Sequence, residues 1–484
     1  MIALTAGQIA EMTDGSLHAI DPERPIPGPV VADSRQVMPG SLFVALPGER
    51  VDGADFARGA VSDGAVLVLA EREIDGLPTL VVPDARLALG DLAREVLRRH
   101  RARYEGVKVF GITGSNGKTT TKDLLGTLLA GDNPETTIAP RGSYNSDIGL
   151  PITVLRATDA TYNFVMEFGA DKPGDNTYLS SIIEPQYVIV LKVGTAHIEA
   201  FGSQEAIADA KFECVSHMTA GTVILNADDH RVIGLRPRAE AAGHRVVTFG
   251  LNRGAELPAP DVSADKVTLD AAGRASFQLH ARGQSVPVHL RLVGEHHVYN
   301  ALAAATAALE AGLLLETVAS RLAADPASPH RMAVTQRPDG ITVIDDAYNA
   351  NPESMIAALH ALVAMAGEER RSVAVLGEMF ELGDRSKSDH GYVGATAAGL
   401  GVDLLITVGE GAEMIHHAAR YAREKGDETE PVLAADLEDA RAVLRKRLAP
   451  GDVVLVKASN GTELWRLGDE LADGSLGAVG GDNE

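Results

Sequence analysis

Residues 109–121 read VFGITGSNGKTTT. The run 107–112 is β-branched and apolar, and 119–130 has helical periodicity, so the glycines fall in a strand-to-helix turn. The usual phosphate-binding loop places a glycine, four residues, then Gly-Lys-Ser/Thr. Counted back from Gly117-Lys118-Thr119, that first glycine should stand at 112, where the chain has Ile112. Gly111 is one residue early and Gly114 lies inside the loop. The choice is between a phosphate loop of another lineage and a flexible turn that contains a lysine. The context favours the first. Glycines let the N–H groups of Gly114, Ser115, Asn116 and Gly117 converge on phosphate oxygens, and the helix N-terminus adds its positive end. Lys118 brings a full charge to the terminal phosphates. Thr119, followed by Thr120, offers a hydroxyl to Mg²⁺.

The chain has 484 residues, too many for one core, since single cores stop growing at roughly 250–300 residues. Its formal net charge is −23. That makes nucleic acid or an anionic membrane surface a poor partner. One cysteine, Cys214, rules out an intrachain disulfide and suits a cytoplasmic location. No apolar run approaches the ~18 residues of a membrane span, so no membrane insertion is expected. The N-terminus carries Glu11 and Asp14 where a signal peptide would be apolar. It reads as a short helix with Thr5 as N-cap and Gly15 as C-terminal stop.

Strand-like runs alternate with helical patterns, which predicts an α/β protein with mostly parallel sheets. Three blocks are expected: 1–102, 103–328 and 329–484. The first has short strands at 28–32, 41–45, 65–70 and 79–82 and ends in a charged helix. The second opens with the phosphate loop and includes a β-like stretch, 256–293, in which Val286, Val288, Leu290 and Leu292 alternate. The segment 324–332, ADPASPHRM, reads as a linker. The third repeats strand, turn, helix through ITVIDD, SVAVLGE, LLITVGE and VVLVKAS. Ligands gather at the carboxyl ends of such strands.

Several side chains stand where chemistry could use them. In FVMEFGAD (164–171) a strand delivers Glu167, a carboxylate suited to Mg²⁺ near a phosphate loop. In VIVLKVGTAHIEAFGS (188–203) a strand runs into a loop with His197, and Ser203 precedes a helix predicted over 204–218. Lys211 shares an apolar stripe with Ile207, Cys214, Val215 and Met218. Periodicity alone favours a snorkelling lysine there over a chemical one, and a structural role for His197. In IDDAYNANPES (344–354), Asp346, Tyr348 and Asn349 occupy a strand-to-helix turn, and Asn351 caps a helix with Pro352 at its first position. The segment 375–386 repeats that geometry with Glu378 and Glu381.

Taken together these residues resemble the Mur ligase family of ATP-dependent amide-forming enzymes. GSNGKTT (114–120) is similar to that family's shortened loop, G-x-x-G-K-T/S. SYNSDIGLP (143–151), AHIEAFGS (196–203), DDAYNANPESM (345–355) and LGEMFELG (376–383) point within the family to the branch acting on UDP-N-acetylmuramoyl-tripeptide and D-alanyl-D-alanine. The resemblance spans nearly the whole chain, to about residue 470. It implies a UDP-sugar-peptide domain, a central P-loop ATPase domain and a C-terminal Rossmann-like domain that closes on the linker.

It also implies ATP, two Mg²⁺ ions and a monomer. Lys118 and Thr119 fall on the phosphates and first metal, with Glu167 completing that site. His197 falls on a second-metal histidine, and Lys211 on a lysine carbamylated by CO₂. Asn300 matches an adenine-side asparagine, and Arg331 and Asp346 match groups that reach the nucleotide. Ser34 and Arg35 match a uridine-site motif. Ser143, Tyr144, Asn145, Tyr348, Asn349 and Asn351 fall in the substrate-binding stretches. The chain departs from the family at Ser146, Lys192 and His297, where Asn is frequent, and at Asn460, where Arg is frequent. A sibling ligase or a folylpolyglutamate synthetase would lack DDAYNANP. A P-loop regulatory switch would need Asn-Lys-x-Asp, and NADD at 226–229 has no lysine.

Overall fold

A computed structural model describes residues 4–48, 51–140, 144–194, 201–251, 259–270, 273–324, 330–380 and 382–476. Ser143, His197 and Glu381 lie outside the described residues. The chain forms two compact units. The first holds Met1–Val193, Gln204–Asp261 and Ala303–Leu314; the second holds Gly194–Ser203, Val262–Leu302 and Leu315–Glu484.

The described residues of the first unit form a two-stranded antiparallel pair, Leu4–Thr5 with Pro25–Ile26, and two wider sheets. The N-terminal one runs in the order Ser16–His18, Thr79–Val81, Leu67–Ala70, Leu42–Val44, Val30–Val31, and only its first pairing is antiparallel. The larger one runs Arg245–Gly250, Thr222–Asn226, Tyr187–Val190, Lys108–Thr113, Asn163–Glu167, Thr137–Ile138, all parallel. Its middle strand, Lys108–Thr113, is the one that feeds the phosphate loop. Val109, Phe110 and Ile112 are fully buried there, as both faces of a parallel sheet are covered. The neighbours set the register: Glu167 pairs with Ile112 and Val190 with Thr113. Glu167, the loop and the exit of Tyr187–Val190 therefore reach the same carboxyl edge of the sheet.

The charged helix predicted before residue 103 runs Ala85–Arg103. Asp84 accepts from the N–H groups of Arg86 and Leu87, and His100, Arg101 and Arg103 crowd its last turn, where the helix dipole favours cations. Arg101 donates to the carbonyls of Ile183 and Glu184, closing the end of the helix Asp175–Ile183.

In the second unit, Val262–Leu269, Arg274–Ala281 and Gln284–Val293 form an antiparallel set. This is the β-like stretch of the sequence, with Val288, Leu290 and Leu292 buried as their alternation predicts. The C-terminal sheet runs Ala333–Gln336, Thr342–Asp345, Val453–Lys457, Ser372–Leu376, Leu404–Val408, Glu430–Ala434. All its pairings are parallel except the first. Alternate residues feed two cores. Ile344, Ala374, Leu376 and Leu455 pack on one face; Val343, Val373, Val375 and Val456 pack on the other. This is the Rossmann-like layering that the family resemblance implies.

Two local readings are corrected, and two edge strands go unmarked in the sequence. The first helix has its capping box at Thr5, but the left-handed residue that ends it is Asp14 (φ 50°), not Gly15. Gly15 is small for another reason: a Cβ there would lie 2.6 Å from Leu80. The helix predicted over 204–218 ends at Phe212 and continues as a single 3₁₀ turn, Glu213–Val215. The Glu213 carboxylate accepts from Gly174 and Thr177, which holds this turn to another helix instead of extending its own. The edge strands Ala333–Gln336 and Glu430–Ala434 escape the pattern because they are half-solvated, and one carries Pro431.

Gly111 is a strand residue, not a loop residue. A Cβ at 111 would sit 2.3 Å from the Phe168 ring, and Phe168 is 1% exposed and cannot retreat. Gly111→Ala is expected to destabilise the protein by ~1–3 kcal/mol through overpacking. Urea denaturation should read this as a lower midpoint, and an unchanged midpoint would show that the ring has room.

Candidate active site

Each loop glycine has its own physical cause. Gly117 takes φ +85°, which a side chain would resist. Gly114 lies against the next strand, where a Cβ would be 2.8 Å from Leu191. The loop is pinned to that strand by Ser115 N–H donating to the Lys192 carbonyl at 2.9 Å. Tight spacing is possible because Gly111 has no part in the loop.

The helix Lys118–Ala130 starts at the loop lysine. The Lys118 ammonium donates to the Gly114 carbonyl at 2.9 Å. The Thr119 hydroxyl donates to Glu167 Oε2 at 3.0 Å, and Asn145 Nδ2 donates to Oε1 at 3.0 Å. Glu167 is 1% exposed and has no salt-bridge partner among the described residues. A buried carboxylate held by two neutral donors, beside a hydroxyl, is a hard oxygen donor set of the kind Mg²⁺ takes. Asn145 reaches it because residue 169 is glycine: a Cβ there would be 2.7 Å from the amide carbon. Ser146 has a structural task, its hydroxyl accepting from Ile148 and Gly149 N–H at the start of the helix Gly149–Val154.

Lys211 is partly buried beside Ile207, Cys214, Val215 and Met218, which are all buried. Burial, with the charge of Lys118 added to it, lowers its ammonium to about 7. The neutral amine of such a lysine is populated near neutral pH. Lys122, one turn beyond Lys118, is 1% exposed and donates to the Pro140 carbonyl at 2.6 Å. It anchors the Pro140 carbonyl, and no local pattern in the sequence marks it. Ser34 and Arg35 lie apart from these groups, on the 3₁₀ turn Ser34–Gln36 capped by Asp33. Arg35 forks onto Asp33, and this hydrogen bond holds the Asp33 carboxyl below its usual value.

In the second unit the turn after Thr342–Asp345 gathers another group. Lys457, 2% exposed, donates to Asp346 Oδ2 at 2.5 Å and to the Asn349 carbonyl at 2.9 Å. Asp346 Oδ1 accepts from Met332 N–H at 3.1 Å, and the Arg331 guanidinium lies 4.3 Å above the Tyr348 ring. Asn351 caps the helix Pro352–Ala366 as predicted. His330 lies 2.6 Å from Asp345, which raises its pKa. Asn300 contacts His297 at 3.1 Å. Lys457 was missed by the sequence reading. Its signal was a lysine closing an otherwise apolar buried strand, VVLVK.

Family profiles cover most of the chain: the Mur ligase family catalytic domain over 29–96, the Mur ligase middle domain over 112–308, and the Mur ligase glutamate ligase domain over 330–460. The chain belongs to the Mur ligase family. The UDP-N-acetylmuramoyl-tripeptide–D-alanyl-D-alanine ligase of Mycobacterium tuberculosis H37Rv is 43% identical over 523 aligned positions, covering 99% of this chain and 100% of that one. The Escherichia coli K12 ligase of the same name is 35% identical, covering 89% and 91%. Among solved structures, a MurF crystal structure from Acinetobacter baumannii has a TM-score of 0.84 at 32% identity, covering 97% of this chain and 99% of that one. The MurF ligase of Thermotoga maritima in complex with ADP has a TM-score of 0.75 at 28% identity, covering 93% and 98%. This Mur ligase thus shares its fold with both.

The Asp346–Lys457 pair is testable by itself. Lys457→Met leaves an enclosed carboxylate without its cation, which is expected to cost ~3–5 kcal/mol. Adding Asp346→Asn should recover part of that loss in urea denaturation. No recovery would mean that Lys457 acts through packing alone.

Proposed function

We propose that this protein joins D-alanyl-D-alanine to UDP-N-acetylmuramoyl-tripeptide with cleavage of ATP to ADP and phosphate, a step of peptidoglycan precursor synthesis. The observation that carries this reading is the buried Glu167 carboxylate joined to Thr119 at the head of the phosphate loop. Full-length relatives that bear the ligase name supply the substrates. We assign three domains, 1–102 for the UDP-sugar peptide, 103–328 for ATP and 329–484 for nucleotide and dipeptide contacts. The protein works as a cytoplasmic monomer. No helix among the described residues is long and apolar enough to cross a membrane.

The terminal carboxylate of the tripeptide attacks the γ-phosphorus in line. A carboxylate–phosphorus bond forms, the bond to the bridging oxygen breaks, and ADP leaves. Lys118 gives up its hold on the Gly114 carbonyl and turns its ammonium to the phosphates, where it offsets the charge that builds up in the transition state. The amine of D-alanyl-D-alanine then attacks the acyl carbon of the acyl phosphate. A C–N bond forms, phosphate departs and the amine loses a proton. Ser115 and Gly117 present N–H groups to the phosphates. Asn300, Arg331 and Asp346 bind the nucleotide; Ser34 and Arg35 bind the uridine end; Tyr144, Asn145, Tyr348, Asn349 and Asn351 line the peptide substrates, together with Ser143.

Thr119 and Glu167 would hold a Mg²⁺ ion and His197 and Lys211 a second, and such ions would supply the positive charge that lets two anions meet. The neutral Lys211 amine attacks CO₂; an N–C bond forms as one C–O π bond breaks and its electron pair passes to oxygen, and the nitrogen loses a proton to give an anionic carbamate. The lowered ammonium favours that reaction, since only the neutral amine has the lone pair. The carbamate also replaces a repulsion from Lys118 with an attraction.

Lys211→Ala is expected to lose ~100-fold or more of the activity, with partial rescue by added formate or acetate. Full activity in the variant would return Lys211 to a packing role. In the wild type at constant dissolved CO₂, the rate should fall as pH drops below about 7, where the amine becomes protonated. Formate-rescued Lys211→Ala should lack that limb.

The substrate assignment is checked by ADP release with UDP-N-acetylmuramoyl-tripeptide. D-alanyl-D-alanine should stimulate release, and single amino acids should not. The reverse pattern would make the protein a different Mur ligase.

A further inference from the structure

The stretch His330-Arg331-Met332 has left-handed backbone on both sides of its arginine. His330 takes φ 57° and Met332 φ 51°, and neither is glycine. Such conformations are unfavourable for residues with side chains and persist only where neighbouring contacts over-determine them. Three contacts do so here, all from the end of the strand Thr342–Asp345 and the turn after it. Tyr348 N–H donates to the His330 carbonyl at 3.2 Å, and Met332 N–H donates to Asp346 Oδ1 at 3.1 Å. His330 Nδ1 lies 2.6 Å from Asp345 Oδ2. Arg331, between them, sets its guanidinium 4.3 Å above the Tyr348 ring. The same turn therefore holds the arginine's backbone from both sides and its side chain from below.

Of the three contacts, only the imidazole one can change with pH. Asp345 Oδ1 accepts from Ala347 N–H at 3.3 Å, and Oδ2 accepts from His330 Nδ1. The bond to Asp345 raises the His330 pKa, burial opposes the rise, and the Asp345 and Asp469 charges add to it. Asp469 Oδ1 is 3.9 Å from Nδ1, on the helix Trp465–Asp473, whose Trp465 ring lies 5.7 Å from the imidazole. That helix comes close because residue 468 is glycine: a Cβ there would be 2.7 Å from the Asp345 carboxyl carbon. Its other charged groups are engaged elsewhere, Arg466 with Glu463, Glu470 with Arg441 and Asp473 with Ser475. Lys457 is on Asp346. Below the raised pKa the ring is an imidazolium and its bond to Asp345 is charge-assisted. As pH rises through that value the ring becomes neutral and the bond weakens to an ordinary one.

We propose that His330 is a positioning residue, which through Asp345 holds the Arg331 guanidinium in place for the nucleotide. This rests on the reading above that Arg331 binds the nucleotide. The hold is firmest while the ring is charged and relaxes at alkaline pH. His330 itself touches no substrate on this account; it acts through the arginine beside it.

Calorimetric titration of the full-length protein with the Mg²⁺ complex of the β,γ-imido analogue of ATP tests it, at about pH 6 and about pH 9. The variants are His330→Asn, Arg331→Ala and the two together. Asparagine accepts left-handed backbone, so His330→Asn removes the ring with little new strain. It should weaken binding roughly 5-fold at about pH 6 and less at about pH 9. In the Arg331→Ala background the same change should have no effect, because no guanidinium is left to position. An equal loss with and without Arg331, or a loss that is the same at both pH values, overturns the proposal. Arg331→Ala that binds the analogue as tightly as the wild type overturns instead the reading on which the proposal rests. Should His330→Asn not fold, ¹⁵N-histidine spectra of the wild type decide. The proposal requires that His330 keep its Nδ1 proton throughout the titration and lose the Nε2 proton above the usual histidine range. A neutral ring with its proton on Nε2 contradicts it.

Discussion

A carboxylate sealed inside a protein needs either a proton, a cation or strong donors. Glu167 has two neutral donors and no charged partner among the described residues. Its position follows from the sheet. The strand Asn163–Glu167 pairs in parallel with Lys108–Thr113, so Glu167 is delivered beside the loop that follows Thr113. The rest of the first unit's chemistry is arranged around that place. Burial, and then repulsion from the Lys118 charge, push Lys211 toward neutrality. An anionic substrate, an anionic nucleotide and a net charge of −23 make local positive charge indispensable here.

The shortened loop is a consequence of packing. Phe168 fills the space over Gly111, and Leu191 fills the space over Gly114. With those neighbours fixed, the turn between strand and helix is made by few residues, and Gly117 supplies the one left-handed conformation it requires. The same device recurs at Gly169, whose missing side chain admits the Asn145 amide. Gly111, Gly114 and Gly169 are explained by contacts with neighbouring groups, and Gly117 by its positive φ.

Much of this was legible in the chain itself. The strand–loop–helix around 109–121, the capped helix at Asn351 and the alternation through 286–292 carry local signals strong enough to be placed without a structure. What was not legible depends on long-range contact. The helix after residue 203 stops at Phe212 because Glu213 is recruited by a distant helix end. Lys457 looks like a strand-ending lysine until the strand Val453–Lys457 is seen to lie beside Thr342–Asp345, which sets its ammonium on Asp346. The role of Lys211 was ambiguous for a similar reason. Periodicity places it on an apolar stripe, but the proximity of Lys118 is a tertiary fact.

The decisive measurement is anomalous diffraction from crystals grown with Mn²⁺ and a non-hydrolysable ATP analogue. The account predicts a metal peak beside Thr119 Oγ1, with the Glu167 carboxylate in its coordination shell directly or through one water. Bound nucleotide with no peak at that place, or with Glu167 still tied only to Thr119 and Asn145, would contradict it.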